Sequence, residues 1–213
     1  RYIGDWSSDV CSSDLPDSGH AYKVKLCLAI AGISHDYEEI DIFSERDSRS
    51  PEFKQQSRFH EVPLLIDEGK AYVQSNAILI HIATKYKVLG AENDQTLTRC
   101  LEWLFWEANK IGLCLPQLRA SNKFEQFRLS EGAQHWLSAR YRHDVQILAA
   151  ELSDRRKFIL GENPTIADCS LCGYLYFADE AKVAVPPLVR DWLARIAGLK
   201  GWAHPYELLR INR

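Results

Sequence analysis

Apolar residues in the first part of the chain recur first with helical and then with strand spacing. Beyond Ala21 they stand at Val24, Cys27, Leu28 and Ala31. Positions three or four apart share one face of a helix, so a helix is predicted here, and Gly32 is placed to end it. Residues 37–43 then alternate between apolar and polar side chains, which predicts a half-buried strand.

Four further segments follow before the middle of the chain. Residues 50–52, Ser-Pro-Glu, combine an N-cap, a first-turn proline and an early carboxylate, which predict a short helix. The apolar runs 62–66 and 71–73 flank a polar loop and predict an antiparallel hairpin. Helical spacing then continues to Tyr86, and the Gly- and Asn-containing residues 88–95 are predicted to be a linker.

Residues 97–197 carry helical spacing almost throughout, without sustained alternation. One apolar stripe begins at Leu97 and continues to Pro116, which predicts a single long helix that the proline ends. A second stripe covers residues 136–152. The second half of the chain is therefore predicted to be a helical bundle.

The predicted order of elements lacks one strand. A domain that combines a parallel strand pair with a hairpin needs a strand before its first helix, and that position falls in residues 1–16. Residues 1–15 are polar, rich in Ser and Asp and without periodicity, and residues 5–15 resemble translated sequencing-adapter sequence. The chain also contains no methionine. We therefore expect a fragment in which a non-native segment has replaced the first strand.

Composition narrows the class of protein. A chain of 213 residues with 46% hydrophobic and 26% charged residues is typical of soluble globular proteins. The net charge of -3 argues against nucleic-acid binding, and no apolar stretch reaches the roughly 20 residues of a membrane-spanning helix. We expect a cytoplasmic protein. The pair Cys169 and Cys172 lies in a helical run without further ligands nearby, which favours core thiols over a redox or metal site.

Two short motifs about a dozen residues apart carry the candidate chemistry. Glu61, Val62 and Pro63 lead into the predicted hairpin, and Gln74 and Ser75 open the helix that follows it. At this spacing and in this element order, the motifs resemble those of the cytosolic glutathione transferases. The resemblance covers nearly all of the chain beyond its first residues and implies an α/β plus all-α fold, with a thioredoxin-like N-terminal domain followed by a C-terminal helical bundle domain.

The resemblance also implies domain boundaries and partners. We expect a non-native segment at 1–15, a thioredoxin-like glutathione-binding domain at 16–87, a linker at 88–95 and an all-helical domain at 96–213. Family members use glutathione as co-substrate, require no metal for this chemistry and form homodimers. We expect the same here, with no nucleic-acid or membrane partner.

In the family, the proline corresponding to Pro63 is cis and the backbone of the residue before it, here Val62, pairs with glutathione. Gln74 and Ser75 match the residues that hold the γ-glutamyl end, where a helix start favours a carboxylate, and Glu61 can add a contact to a backbone N–H or to the ligand's amine. Each motif also fits a purely structural role, with Pro63 an ordinary trans residue at a strand start and Ser75 an N-cap.

Glutathione chemistry needs a group that stabilises the thiolate, because a free thiol has a pKa near 8.5. In the family this group is a Tyr, Ser or Cys at or just before the first helix. Ser18 occupies that place and is our first candidate, followed by His20 and then Tyr22. The alternatives are an N-cap role for Ser18 and a solvated first-turn position for His20.

The chain departs from the family pattern just before Val62. Residues 57–59, Ser-Arg-Phe, stand where relatives often begin with Asn-Pro, and His60 stands where many carry glycine. On the second-substrate side, the resemblance implies lining residues on the first long bundle helix, namely Trp103, Trp106, Asn109 and Leu113. Helix core or a dimer interface is the alternative for these positions.

Residues Thr165 and Asp168 resemble the family's capping box for a buried helix, in which each residue satisfies a backbone N–H of the other. We expect a folding role for them. The sequence as a whole predicts an enzyme that transfers the glutathione thiolate onto a small apolar electrophile, with Ser18 as the activating residue. The alternative is a non-catalytic binding or interaction protein of the same fold.

Overall fold

The structure, a computed structural model, describes residues 10–14, 17–40 and 50–210. The first part contains β1 (Val10–Asp14), α1 (Gly19–Ala31), β2 (Asp36–Glu39), α2 (Pro51–Gln56), β3 (Leu64–Asp67), β4 (Lys70–Val73) and α3 (Ser75–Tyr86). The order predicted from α1 to α3 is confirmed. Residues 41–43 of the predicted strand lie outside the described residues.

The strands form one four-stranded sheet in the order β2-β1-β3-β4. β1 is parallel to β2 and antiparallel to β3, so that Ser12 pairs with Tyr37 on one side and Leu65 on the other. Residues 10–14 therefore form the strand that the sequence pattern does not show, inside the segment expected to be non-native. Backbone pairing with two neighbours places them there, despite a polar sequence with low strand propensity.

Helix α1 packs against α3 beside the sheet. It ends at Gly32, whose φ of 69° is left-handed and whose N–H donates back to Leu28 and Ala29 carbonyls. All residues from 21 to 28 are buried. This continuous burial positions the first turn of α1 firmly against the rest of the fold.

The C-terminal residues 199–210, which include α9 (Pro205–Leu208), return to α1. The Tyr22 hydroxyl donates to the Ala203 carbonyl at 3.0 Å, and the Tyr206 hydroxyl lies 3.1 Å from Asp17 Oδ1. Gly201, at φ 90°, approaches the Ala29 carbonyl so closely that no Cβ fits between them. These contacts cover the beginning and the end of α1.

The hairpin β3–β4 turns at Glu68 and Gly69, whose φ angles of 50° and 71° are both positive. Positive φ at both central residues gives the two-residue turn that suits the twist of antiparallel strands. The buried Asp67 then ties the hairpin to α3, because its carboxylate accepts from Lys85 Nζ at 2.7 Å and lies 2.6 Å from His81 Nε2. The predicted hairpin is confirmed.

The rest of the described chain is helical, with α4 (Asp94–Asn109), α5 (Ile111–Lys123), α6 (Glu131–Glu151), α7 (Ile166–Leu175) and α8 (Pro187–Ala197), and short 3₁₀ turns at Glu125–Phe127 and Leu152–Asp154. The thioredoxin-like part followed by a helical part confirms the predicted fold class.

The prediction of one long helix from Leu97 to Pro116 is wrong in its extent. The stripe from Leu97 breaks at Lys110, whose φ of -121° and ψ of -95° are not helical, and Pro116 lies inside α5 instead of ending a helix. Beside the break, Gly112 lies against the buried Glu107 carboxylate. This tertiary packing cannot be read from helical spacing.

Helix α7 begins with the predicted capping box. The buried Asp168 carboxylate accepts from the Thr165 N–H at 2.8 Å and hydroxyl at 3.0 Å, and from the Ile159 N–H and Trp192 Nε1–H, both at 2.9 Å. Burial raises the pKa of the Asp168 carboxyl, and the four donors oppose that rise. One carboxylate thus joins the start of α7 to α8.

The described chain clusters into two compact units. The first comprises the residues up to Val88 together with those from Leu199 onward, and the second comprises Leu89–Gly198. The sequence predicts that the all-helical domain continues to the C-terminus, whereas the contacts place the residues from Leu199 onward in the first unit.

Candidate functional site

The turn into β3 contains a cis peptide bond between Val62 and Pro63. Glu61, the residue before Val62, is held by the buried Ser57. The Ser57 hydroxyl donates to the Glu61 carbonyl at 2.9 Å and accepts from the Glu61 N–H at 3.1 Å. This two-way clamp fixes the backbone that enters the turn. In the sequence, residues 57–59 stand out only as a departure from the family pattern, and no motif indicates this role of Ser57.

His60, inside the segment that the Ser57–Glu61 clamp closes, has a φ of 55°. Side chains other than glycine seldom adopt this left-handed conformation. The backbone shape of this segment is therefore one that glycine would adopt with less strain than His60.

A hydrogen bond joins the two predicted motifs directly. Gln74 Nε2 donates to Glu61 Oε2 at 3.1 Å. Gln74 itself has a φ of 71° and a ψ of 115°, a conformation that L-residues seldom adopt. Such backbone strain concentrates at ligand sites and requires the surrounding structure to enforce it. Glu61 and Gln74 thus form a fixed polar edge beside the Val62–Pro63 turn.

Ser75 opens α3, and this helix start differs from four others. The cap residue Gln74 makes no side-chain hydrogen bond to the first turn. In contrast, α1, α2, α4 and α6 begin with capping side chains, from Ser18, Ser50, Asn93 and Ser130 respectively. The first turn of α3 therefore presents backbone N–H groups that its cap side chain does not satisfy, and the helix dipole makes this end attractive to an anion.

Ser18 is the N-cap of α1 and is buried to 8% exposure. Its Oγ accepts from the Ala21 N–H at 3.2 Å. A hydroxyl that accepts in this way still has its own proton to donate, so the capping role and a donor role are compatible.

His20 lies in the first turn of the same helix, and its Nδ1 is 3.5 Å from Ser75 Oγ. Burial, followed by the nearby Lys23 charge, lowers the pKa of His20 to about 3. The imidazole is therefore neutral near pH 7. This contact brings the predicted residues of α1 and α3 together.

Tyr22, the third candidate for thiol activation, lies elsewhere. Its side chain is fully buried and its hydroxyl proton is donated to the Ala203 carbonyl. The structure therefore removes Tyr22 from the candidate site and assigns it to the packing of α1.

Two models of one family match the chain. The glutathione S-transferase N-terminal domain model matches residues 14–84, and the C-terminal domain model matches residues 132–203. The chain belongs to the glutathione S-transferase family. Among relatives, it is 28% identical to maleylacetoacetate isomerase from Pseudomonas aeruginosa, over 88% of this chain and 89% of the relative. It is 24% identical to the disulfide-bond oxidoreductase YfcG from Escherichia coli, over 83% and 85% respectively.

Solved structures of glutathione transferases share the fold. One, from Burkholderia graminis, with two glutathione molecules bound per subunit, superimposes with a TM-score of 0.80 at 21% identity, covering 97% of this chain and 90% of that one. Among the described helices, none has both the length and the apolar character that crossing a membrane requires.

The residues predicted to line a second-substrate pocket lie on two helices. Trp103 and Trp106 on α4 contact each other edge to face, with ring centroids 5.4 Å apart. Asn109 is the exposed last residue of α4, and Leu113 lies beyond the break, on α5. The break at Lys110 therefore divides the predicted set, which the sequence placed on one helix.

The CxxC pair is in the core. Cys169 and Cys172 are reduced and buried, at 1% and 0% exposure. The Cys172 thiol lies 3.5 Å from the Cys169 carbonyl, as a donor within the helix. Thiols in this position are inaccessible to a substrate disulfide.

Proposed function

We propose that the chain binds glutathione along the Val62–Pro63 turn and transfers the glutathione thiolate onto a small apolar electrophile. The observation that carries the proposal is the hydrogen bond between Glu61 and Gln74 beside the uncapped start of α3. It joins the two family motifs into one polar edge.

The γ-glutamyl end of glutathione carries a carboxylate and an ammonium group, and this edge suits both. We assign the carboxylate to the Ser75 hydroxyl and the N–H groups at the start of α3, where the helix dipole is positive. We assign the ammonium to the Glu61 carboxylate, which Gln74 holds in position.

The peptide part of glutathione is assigned to Val62. An extended peptide that runs beside a strand end pairs through its backbone groups, as in the addition of a strand to a sheet. Ser57 supports this pairing because it fixes the Glu61 backbone immediately before Val62.

Thiol activation is assigned to Ser18. A hydroxyl that donates to sulfur stabilises the anion, and the N-terminus of α1 adds a favourable partial charge. Because the Ser18 hydroxyl oxygen accepts from the Ala21 N–H, its own proton remains available to donate to the sulfur. We assign the electrophile to the surface that contains Trp106 and Trp103, and we propose a homodimer, as is common in the family.

The test compares two N-cap serines. Ser18→Ala and Ser130→Ala each remove a side-chain cap, from α1 and α6 respectively. Each is expected to destabilise the fold by about 1 kcal/mol in urea unfolding. With glutathione and an activated aryl chloride, Ser18→Ala is expected to lose at least about tenfold in kcat and to raise the pKa of the bound thiol, while Ser130→Ala keeps both.

Full turnover in Ser18→Ala would show that the serine assignment is wrong. Glutathione binding without turnover in the wild type, across aryl halides, peroxides and a disulfide substrate, would instead favour the second candidate, a non-catalytic binding protein. Absence of glutathione binding by titration calorimetry would overturn the proposal as a whole.

A further inference from the structure

Two residues of the candidate site face each other from different helices. His20 lies in the first turn of α1 and Ser75 in the first turn of α3, and 3.5 Å separates His20 Nδ1 from Ser75 Oγ. Ser75 is buried, at 8% exposure, and His20 is partly buried. At 3.5 Å the contact is at the long end of the hydrogen-bond range.

The direction of this hydrogen bond decides what Ser75 can do for a ligand. A serine hydroxyl has one proton to donate and an oxygen that accepts. If Ser75 donates to Nδ1, its proton is no longer available to a carboxylate. If the Nδ1–H donates to Ser75 Oγ, the hydroxyl proton is directed elsewhere and is available to the γ-glutamyl carboxylate.

We propose that His20 is a positioning residue whose Nδ1–H donates to Ser75 Oγ and thereby directs the Ser75 hydroxyl at the γ-glutamyl carboxylate of glutathione. This inference rests on the proposed function. It assigns the two candidates on α1 to opposite ends of the ligand, with Ser18 at the sulfur and His20 behind the carboxylate site.

The charge state of the imidazole defines what this role requires of the ring. Burial and the nearby Lys23 lower the pKa of His20 to about 3, so the ring is neutral near pH 7 and exists as one of two tautomers. A neutral ring donates through Nδ1 only in the Nδ1–H tautomer. That tautomer is a specific, measurable state of the free protein.

Three variants separate the two nitrogens of the ring. His20→Asn places an amide nitrogen directly on Cγ, close to the position of Nδ1. His20→Gln moves the amide one carbon further, toward the position of Nε2, and His20→Ala removes both. We therefore expect rescue by Asn and none by Gln.

The probes are glutathione and the dipeptide Cys-Gly, which lacks the γ-glutamyl group. His20→Ala and His20→Gln are expected to weaken glutathione binding about fivefold to tenfold, the effect of one lost hydrogen bond, while His20→Asn stays within about twofold of wild type. Binding of Cys-Gly should be the same in all four proteins. The pKa of the bound glutathione thiol, followed by thiolate absorbance, should also be unchanged.

A double-mutant cycle with Ser75→Ala isolates the pair. In the Ser75→Ala background, His20→Ala is expected to cause no further loss of glutathione affinity, because its effect passes through the Ser75 hydroxyl. Additive losses would overturn the inference. An equal loss for Cys-Gly, or a raised pKa of the bound thiol in His20→Ala, would do so too, because either result places His20 at the sulfur or in general packing.

Failure of the proposed function has a different signature. If wild type does not bind glutathione at all, the proposed function fails and the ligand role of His20 fails with it. If wild type binds glutathione but ¹⁵N NMR of the free protein finds the Nε2–H tautomer of His20, or finds a tautomer that Ser75→Ala leaves unaffected, the inference alone is wrong.

Discussion

The Trp192 indole Nε1–H donates a hydrogen bond to Asp168 Oδ1 at 2.9 Å, from α8 to the start of α7. Both side chains are almost completely buried. Because the same carboxylate also accepts from Thr165 and Ile159, it is the shared acceptor for donors from three separate segments.

Removal of this acceptor should destabilise the protein severely. Asp168→Ala leaves four buried donors without a partner, so we expect a loss of more than about 3 kcal/mol in the free energy of unfolding, measured in urea. Trp192→Phe removes one donor and some volume and should cost about 1–3 kcal/mol. Equal stability of Asp168→Ala and wild type would contradict the capping role.

The close approach of Gly112 to Glu107 predicts a second stability effect. A Cβ at Gly112 meets the Glu107 carboxylate, whose other oxygen lies 3.2 Å from Ser170 Oγ in the core. Gly112→Ala should therefore destabilise the protein by about 1–3 kcal/mol. Gly132→Ala, in a helix with open space around the glycine, is the matched control and should be neutral or stabilising by up to about 1 kcal/mol. Similar melting temperatures for the two variants would contradict the packing argument.

The Ser57 clamp predicts a combined loss of stability and affinity. Ser57→Ala removes the hydroxyl that holds the Glu61 N–H and carbonyl, and should cost about 1–3 kcal/mol in unfolding free energy. Glutathione affinity should fall several-fold, because the Glu61 backbone leads into the binding turn. Ser50→Ala removes a cap from α2 without contacting Glu61, so calorimetry should find a stability loss with unchanged glutathione affinity.

His20 predicts a specific pH dependence of stability. Its pKa is about 3 when folded and 6.5 when unfolded, so below pH 6.5 the unfolded chain binds a proton that the folded protein does not. The associated stability is fully present above pH 6.5 and is lost as the pH falls toward 3. Between pH 7 and pH 5 the wild type should lose at most about 2 kcal/mol relative to His20→Asn, an upper value because the side chain keeps some solvent exposure. If the unfolding free energies of wild type and His20→Asn changed with pH in parallel, the low pKa of His20 in the folded protein would be contradicted.

The features that sequence predicts well are encoded locally. Ser50 and Gly32 act on backbone groups within four residues of themselves, so their capping roles follow from their own neighbourhoods. The hairpin of β3 and β4 follows in the same way from two apolar runs and a Gly-containing turn.

The features that sequence missed depend on distant packing. Residues 10–14 form a strand because β2 and β3 offer backbone partners on both sides. The break at Lys110 accompanies the approach of Gly112 to Glu107, and Pro116 is accommodated within α5. Within the candidate site, the Ser57 clamp spans only four residues, but it belongs to an irregular turn rather than to a helix or strand, so no periodic pattern in the sequence indicates it.

The return of residues 199–210 to α1 sets an order of events during synthesis. The chain leaves the ribosome from its N-terminal end, so α1, with Ser18 and His20 in its first turns, emerges long before the segment that covers Tyr22. Residues 89–198 must all be made in between. The first unit therefore reaches its native packing only after the whole helical unit has been translated, and a nascent chain stalled before residue 199 should carry a first unit whose α1 is not yet covered.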